Sequence, residues 1–184
     1  MKPLTPTTPH VIIMVGIPGA GKTHFAAQFA KTFQAPFVNF REILKHTNED
    51  AGALSVTDHF LDELLKTQRT ILFEGPTHNR NYRYELVKRI RAAGYEPLLV
   101  WVQTDTTEAK RRATRRGGEY TKEGFDDMVQ RFHTPAPVEK PIVMSGKHTY
   151  ATQVKVVLKH LASTRESDPV TPPSIRSSRN IIVR

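Results

Sequence analysis

The sequence predicts an α/β domain: a five-stranded parallel sheet in the order 2-3-1-4-5, forming the middle of a three-layer sandwich with helices on both faces. Strand and helix signals alternate along the chain, which argues parallel pairing through crossover helices. Two runs, residues 11–15 and 98–102, are apolar throughout, as strands covered on both faces are. Between the first run and the next helical stretch lies Gly16-Ile17-Pro18-Gly19-Ala20-Gly21-Lys22-Thr23, a complete G-x-x-x-x-G-K-[ST] phosphate loop. Right-handed crossovers and the switch-point rule give the strand order once the strand before that loop is central.

Each remaining element has its own signal. Phe25, Phe29 and Phe33 recur at i, i+4, i+8 and mark one buried face of the helix after the loop. Residues 37–40, set off by Pro36, read as a short second strand. Ser55, with Asp58 three residues on, reads as the N-cap of a helix whose core stripe is Phe60, Leu61, Leu64 and Leu65. Residues 70–73 form the third strand and end at Glu74-Gly75-Pro76. Leu86, Val87 and Ile90 line the next helix, which Gly94 terminates. After the fourth strand, Asp105 and Glu108 are placed as a capping box for an arginine-rich helix. Phe125, Met128, Val129 and Phe132 predict a further helix, residues 142–144 a fifth strand, and Val154, Val157, Leu158 and Leu161 a last amphipathic helix. Residues 1–9 are expected to be a flexible N-terminal segment, residues 10–163 the domain with a lid at about 106–121, and residues 164–184 a Pro/Ser/Arg-rich tail. The tail ends in Ile181-Ile182-Val183, which suits docking on an exposed sheet edge of its own or a neighbouring chain.

Composition narrows the function classes. A length of 184 residues suits one domain, and the absence of cysteine excludes disulfides and thiolate metal sites. The histidines show no ligand spacing that suggests a metal site. No apolar run approaches the length of a membrane span, and the N-terminus lacks the apolar core of a secretory signal, so a cytoplasmic protein is expected. The net charge of +9 suits anionic partners, nucleotides and nucleic acid alike.

The phosphate loop carries the most chemistry. Its glycines let backbone N–H groups of residues 16–23 approach phosphate oxygens at a helix N-terminus, where free donors and the helix dipole favour anions. Lys22 would reach the β- and γ-phosphates, and the Thr23 hydroxyl would hold Mg²⁺. ATP and Mg²⁺ are therefore the expected cofactors. Glu74, ending an apolar strand, would stand at the carboxyl edge of the sheet, holding the metal through water or orienting an acceptor hydroxyl. Glu42, just after the second strand, would face the same crevice and accept a proton. Arg112 and Arg116 share a helix face before Gly117-Gly118, and could neutralise charge on a transferring phosphoryl group.

Together, the phosphate loop, Phe40-Arg41-Glu42, the strand end Glu74-Gly75, Arg112-x-x-x-Arg116-Gly117 and the Phe132 to Glu139 stretch resemble the P-loop kinases of the polynucleotide 5′-kinase group. That group, which also holds zeta-type toxins and small-molecule kinases, lies in the AAA-type P-loop NTPase superfamily. The resemblance covers roughly residues 10–162. It implies transfer of the ATP γ-phosphoryl to a hydroxyl on a nucleic-acid end, a nucleotide or a small metabolite. A zeta-like sugar-nucleotide kinase, or a regulatory ATPase that transfers to no acceptor, are the alternatives. The chain departs from the family where an Asp usually follows the second strand as general base, with an Arg a few residues on: here Arg41 and Glu42 occupy the first position and Leu44 the second. A base would then be Glu42 or Glu74, or there is none.

Overall fold

A computed structural model describes residues 8–47, 49–115 and 120–163. The elements run β1 (His10–Val15), α1 (Lys22–Phe33), β2 (Phe37–Asn39), α2 (Phe40–Leu44), α3 (Asp50–Leu65), β3 (Ile71–Glu74), α4 (Arg80–Ala92), β4 (Glu96–Gln103), α5 (Thr106–Ala113), α6 (Lys122–Gln130), β5 (Ile142–Ser145) and α7 (Tyr150–Ser163). The five strands pair in parallel in the order β2-β3-β1-β4-β5, as the sequence predicts. All six residues of β1 are buried, the mark of a strand with a partner on each side and a helical layer on each face.

Period two divides the core. Val11, Ile13 and Val15 face one layer with Leu61, Leu65, Leu86 and Ile90 from α3 and α4. Ile12 and Met14 face the other, with Phe25 and Phe29 from α1 and Val157 and Leu161 from α7. The phenylalanine stripe of α1 stacks along its length, with ring centroids 5.7 Å apart for Phe25 and Phe29 and 4.5 Å for Phe29 and Phe33.

Three local expectations are corrected. Ser55 is not an N-cap: α3 starts at Asp50, and Ser55 sits inside it. Gly52 faces open space, so its missing side chain costs the helix only propensity, while Ala53 and Thr57 are buried and the Thr57 hydroxyl donates to the Ala53 carbonyl at 2.7 Å. Phe40 leaves the second strand and opens α2 instead, because the Asn39 side chain accepts the Arg41 N–H and caps the helix there. Asp105 does cap α5, accepting from the N–H groups of Thr107 and Glu108. The Glu108 carboxylate turns outward to Arg111 and Arg112 rather than back to the cap, since two guanidiniums outbid one N–H. Among the described residues no helix is long and apolar enough to cross a membrane. The expected N-terminal segment, apart from residues 8 and 9, and the C-terminal tail lie outside the described residues.

Candidate functional site

The carboxyl ends of β1, β3 and β2 come together, and the functional side chains gather above them. The phosphate loop follows β1 directly. Its shape depends on glycine at Gly19, where φ is +74° and a Cβ would lie 2.1 Å from the Ala109 carbonyl oxygen of α5. The same close approach seats the arginine-rich helix on the loop. Gly21, also at positive φ, caps α1, so the first N–H groups of that helix open toward a phosphate.

Lys22 and Thr23 both reach Glu74. The Thr23 hydroxyl donates to Glu74 Oε1 at 3.0 Å, and Lys22 Nζ stands 3.8 Å from that oxygen and 3.1 Å from the Ile17 carbonyl oxygen. Glu74 is 5 % exposed, and its second oxygen, Oε2, is buried with no hydrogen-bond partner. A buried carboxylate oxygen without a donor calls for a cation or ordered water. Beside a threonine hydroxyl this is a hard-oxygen donor set that fits Mg²⁺.

Two clefts meet at this point. One follows the phosphate loop past Thr23 and Arg112 to Gly146, His148 and Gln153. Arg112 spans it, donating to Glu108 at 2.7 Å and to the Gly146 carbonyl at 3.2 Å. Glu108 is pulled down to about 2 in pKa by its hydrogen bonds from Arg111 and then Arg112, so it remains ionised and holds Arg112 in place. Gly146 is required by contact rather than by φ: a Cβ there would lie 2.0 Å from the Ala20 carbonyl oxygen and 2.2 Å from Thr104 Oγ1. The loop after β5 thus rests directly on the phosphate loop. The other cleft, about 430 Å³, runs under α2, α3 and α6 and is lined by Phe40, Leu44, Leu54, His78, Met128 and Phe132, among others. Pro18, Lys22, Arg41, Glu74 and Tyr120 line both clefts.

Several expected site residues come together here, and three of the described ones do not. Gly16, Pro18, Gly19, Gly21, Lys22, Thr23, Glu74 and Arg112 line one cleft or both. Ile17 and Ala20 turn inward, each packed against a core cluster. Arg116, with Gly117 and Gly118, lies outside the described residues. Glu42 does not face the crevice. It is well exposed, pairs with Lys45 at 2.7 Å, and lines a separate groove with Phe37, Ile43 and Phe60. The cause is that α2 starts at Phe40: one further helical step of about 100° turns Glu42 away and leaves Arg41 on the cleft side. The Arg41 guanidinium lies over the Tyr120 ring, 4.3 Å from its centroid.

Sequence reasoning missed two further features. Arg83, fully buried, forms a two-pronged pair with Glu139, with Nε–Oε2 at 2.7 Å and Nη2–Oε1 at 2.9 Å. Its remaining nitrogen donates to the carbonyls of Thr77 and His133, each at 2.9 Å. It therefore ties the segment after β3 to the segment after α6, the two that carry His78 and Phe132 into the cleft. The only signal for it was an arginine among the apolar positions of α4. His78 makes no side-chain hydrogen bond among the described residues, and burial, with the nearby His133 charge, lowers its pKa from the usual imidazole value. It is neutral at pH 7.

Solved structures share this fold. A candidate kinase of Chloroflexus aurantiacus j-10-fl superimposes with a TM-score of 0.69 at 16% identity, covering 85% of this chain and 97% of the other. A gluconokinase of Sinorhizobium meliloti 1021 gives 0.64 at 17%, covering 86% and 94%. The Mycobacterium tuberculosis APS kinase CysC, solved with AMPPNP and APS, gives 0.64 at 18%, covering 85% and 98%. No curated protein sequence matches significantly. The model of one sequence family, described as an AAA domain, matches residues 11–135, the stretch from β1 through the cleft wall at Phe132. A phosphate loop, a parallel sheet ordered around it and that match over more than half of the chain make this protein a member of the AAA domain family.

Proposed function

We propose that the protein is an ATP-dependent phosphotransferase that moves the γ-phosphoryl group to a hydroxyl acceptor. The observation that carries this reading is the pair of clefts meeting at Lys22 and Glu74. A protein that only hydrolyses nucleotide needs the phosphate-loop cleft, whereas transfer needs a second, adjoining one. The kinases among its structural neighbours support the same reading, including the one solved with a nucleotide analogue and APS together.

In this reading ATP lies along the first cleft, with its phosphates against the N–H groups of residues 16–23 and its base toward Gly146, His148 and Gln153. Lys22 and Arg112 offset the charge on the γ-phosphoryl as it leaves, which is the main demand of a loose transition state. Thr23 and Glu74 would hold Mg²⁺, which when bound would supply further charge neutralisation at the phosphates. Glu74 is committed to that role by its contacts with Thr23 and Lys22, and Glu42 faces away. The acceptor proton then passes to His78, which lines the second cleft and is neutral at pH 7. Arg116 acts with Arg112 on the same phosphates.

Single turnover with γ-labelled ATP and a mixture of acceptors tests this. Label on an acceptor supports the phosphotransferase. Label in free phosphate alone, with ATP bound normally, supports the regulatory ATPase, the reading favoured by the outward turn of Glu42. Lys22→Ala is expected to abolish label transfer in either case, and normal turnover in that variant would refute the phosphate-loop assignment.

A further inference from the structure

The walls of the second cleft restrict what can fill it. Leu44 of α2, Ala51 and Leu54 of α3, and Met128 and Phe132 at the α6 end present carbon. Among the described residues, polar side chains stand at a few places. Lys22 and Glu74 occupy the phosphoryl end, and Asp50 is exposed at the start of α3. Thr77, which also lines the cleft, has already given its hydroxyl to the Met14 carbonyl at 2.7 Å and is buried. Arg41 lies over the Tyr120 ring where the two clefts join. Among the described residues, His78 and Tyr120 add the remaining polar side chains of the lining.

Acceptor classes differ sharply in what such a cleft does to them. A sugar acid or other polyol would lose water from several hydroxyls against Leu44, Leu54, Met128 and Phe132 and regain few partners, at about 1–3 kcal/mol for each unsatisfied group. A polynucleotide needs a row of cations along its phosphates, and among the described residues only Lys22 and Arg41 of the lysines and arginines line this cleft. A flat apolar body gains from the same walls by burial and by stacking on Phe40, Tyr120 or Phe132. A cleft of about 430 Å³ is near the small end of ligand pockets and suits one or two fused rings.

We infer that the acceptor is a small aryl alcohol: a planar, largely apolar body seated between α2, α3 and α6, with one hydroxyl directed to the Lys22–Glu74 end. This rests on the phosphotransferase reading. The alcohol oxygen bonds to the γ-phosphorus while the bond from that phosphorus to the β–γ bridging oxygen breaks. ADP leaves with that electron pair, the hydroxyl proton goes to His78 and then to water, and the product is an aryl-alkyl phosphate monoester.

The test uses the full chain with Mg²⁺ and γ-labelled ATP against three sets of probes: 2-phenylethanol and indole-3-ethanol, gluconate and glycerol, and 5′-hydroxyl oligonucleotides. The expected result is labelled monoester from the aryl alcohols at a kcat/KM at least about tenfold above either other set, the scale of discrimination that apolar contacts supply. Leu54→Asn places an amide on the wall and is expected to lower the ratio of kcat/KM for 2-phenylethanol over glycerol by about tenfold. A loss of folded protein scales both substrates alike and leaves that ratio unchanged. Label on polyols or oligonucleotides in preference to aryl alcohols would overturn the inference and leave the phosphotransferase reading standing. Label in free phosphate alone, from all three sets, would overturn both.

Discussion

Thr23 and Glu74 are 51 positions apart in sequence and 3.0 Å apart in space, and the contact leaves one buried carboxylate oxygen without a donor. That oxygen decides the role of Glu74 more than its place at a strand end does. Glu74→Gln would put an amide in place of the carboxylate that holds Mg²⁺ in the proposed reading. It is expected to weaken Mg²⁺-dependent ATP binding, measured by titration with and without the metal, and to leave metal-free binding nearly unchanged. Equal losses in both titrations would return Glu74 to a purely structural part. Gly146 makes the opposite case, a residue whose value is what it lacks. Gly146→Ala sets a methyl against the Ala20 carbonyl and must lift the loop after β5 off the phosphate loop. ATP affinity should fall by about tenfold or more, since a misplacement of about an ångström is costly in such a site. His78 takes the acceptor proton in the proposed reaction, and burial, followed by the nearby His133 charge, lowers its pKa. Its folded pKa is lowered, so any stability that it contributes is complete above its unfolded value, about 6.5, and is lost as the pH falls toward the folded value. Transfer should fall once the pH drops through that lowered folded value, where the imidazole becomes protonated and cannot take the acceptor proton. His78→Asn should flatten that limb of the pH–rate profile.

At the scale of elements, the Arg83–Glu139 pair joins α4 to the short turn before β5 and fixes two cleft walls at once. Burial alone would raise the Glu139 pKa, but the bonds from Arg83 and from the Ala136 N–H together hold it below the ordinary carboxylate value. Arg83→Leu would strand a partly buried carboxylate and the carbonyls of Thr77 and His133. A loss of about 3–5 kcal/mol is expected on breaking such a pair from one side. For a domain of this size that lowers Tm by roughly 10 °C. The deficit should shrink in acid as Glu139 protonates in both proteins, because its contribution is present above the unfolded pKa and lost as pH falls through the folded one. A melt series from pH 7 down to about pH 3, below the ordinary carboxylate value, measures both effects. Arg112 belongs to this scale as well, because α5 carries it into place by resting on Gly19. Arg112→Ala is expected to lower kcat more than it raises the KM for ATP, the pattern of a contact strengthened in the transition state. Equal, small changes in both would make it an ordinary surface arginine.

For the whole molecule, ligand binding should register as stability. Mg²⁺–ATP at about 100 times its Kd adds about 2.7 kcal/mol by mass action, a rise in Tm of roughly 5–10 °C for a domain of this size. Lys22→Ala should remove most of that rise while leaving the ligand-free Tm close to the parent's. A ligand-free Tm that fell steeply would show Lys22 to be a structural anchor between Glu74 and the Ile17 carbonyl.

The sequence by itself determined the sheet, its order and the nucleotide end of the site, because these rest on local, periodic signals. Residues 11–15 are apolar throughout, the phenylalanines of α1 recur every turn, and the phosphate loop is contiguous, so its chemistry needs no distant partner to be recognised. The second cleft was decided only by the tertiary structure. Whether Arg41 or Glu42 faces the crevice depends on where a five-residue helix starts, and one residue of phase turns a side chain by about 100°. Arg83 meets Glu139 across 56 positions, and Gly146 meets Ala20 across more than a hundred; such pairings obey no period. The apolar cleft likewise collects single residues from β-strand ends, α2, α3 and α6, none distinctive where it stands in the chain. Its character comes from their convergence, which chain order does not encode locally.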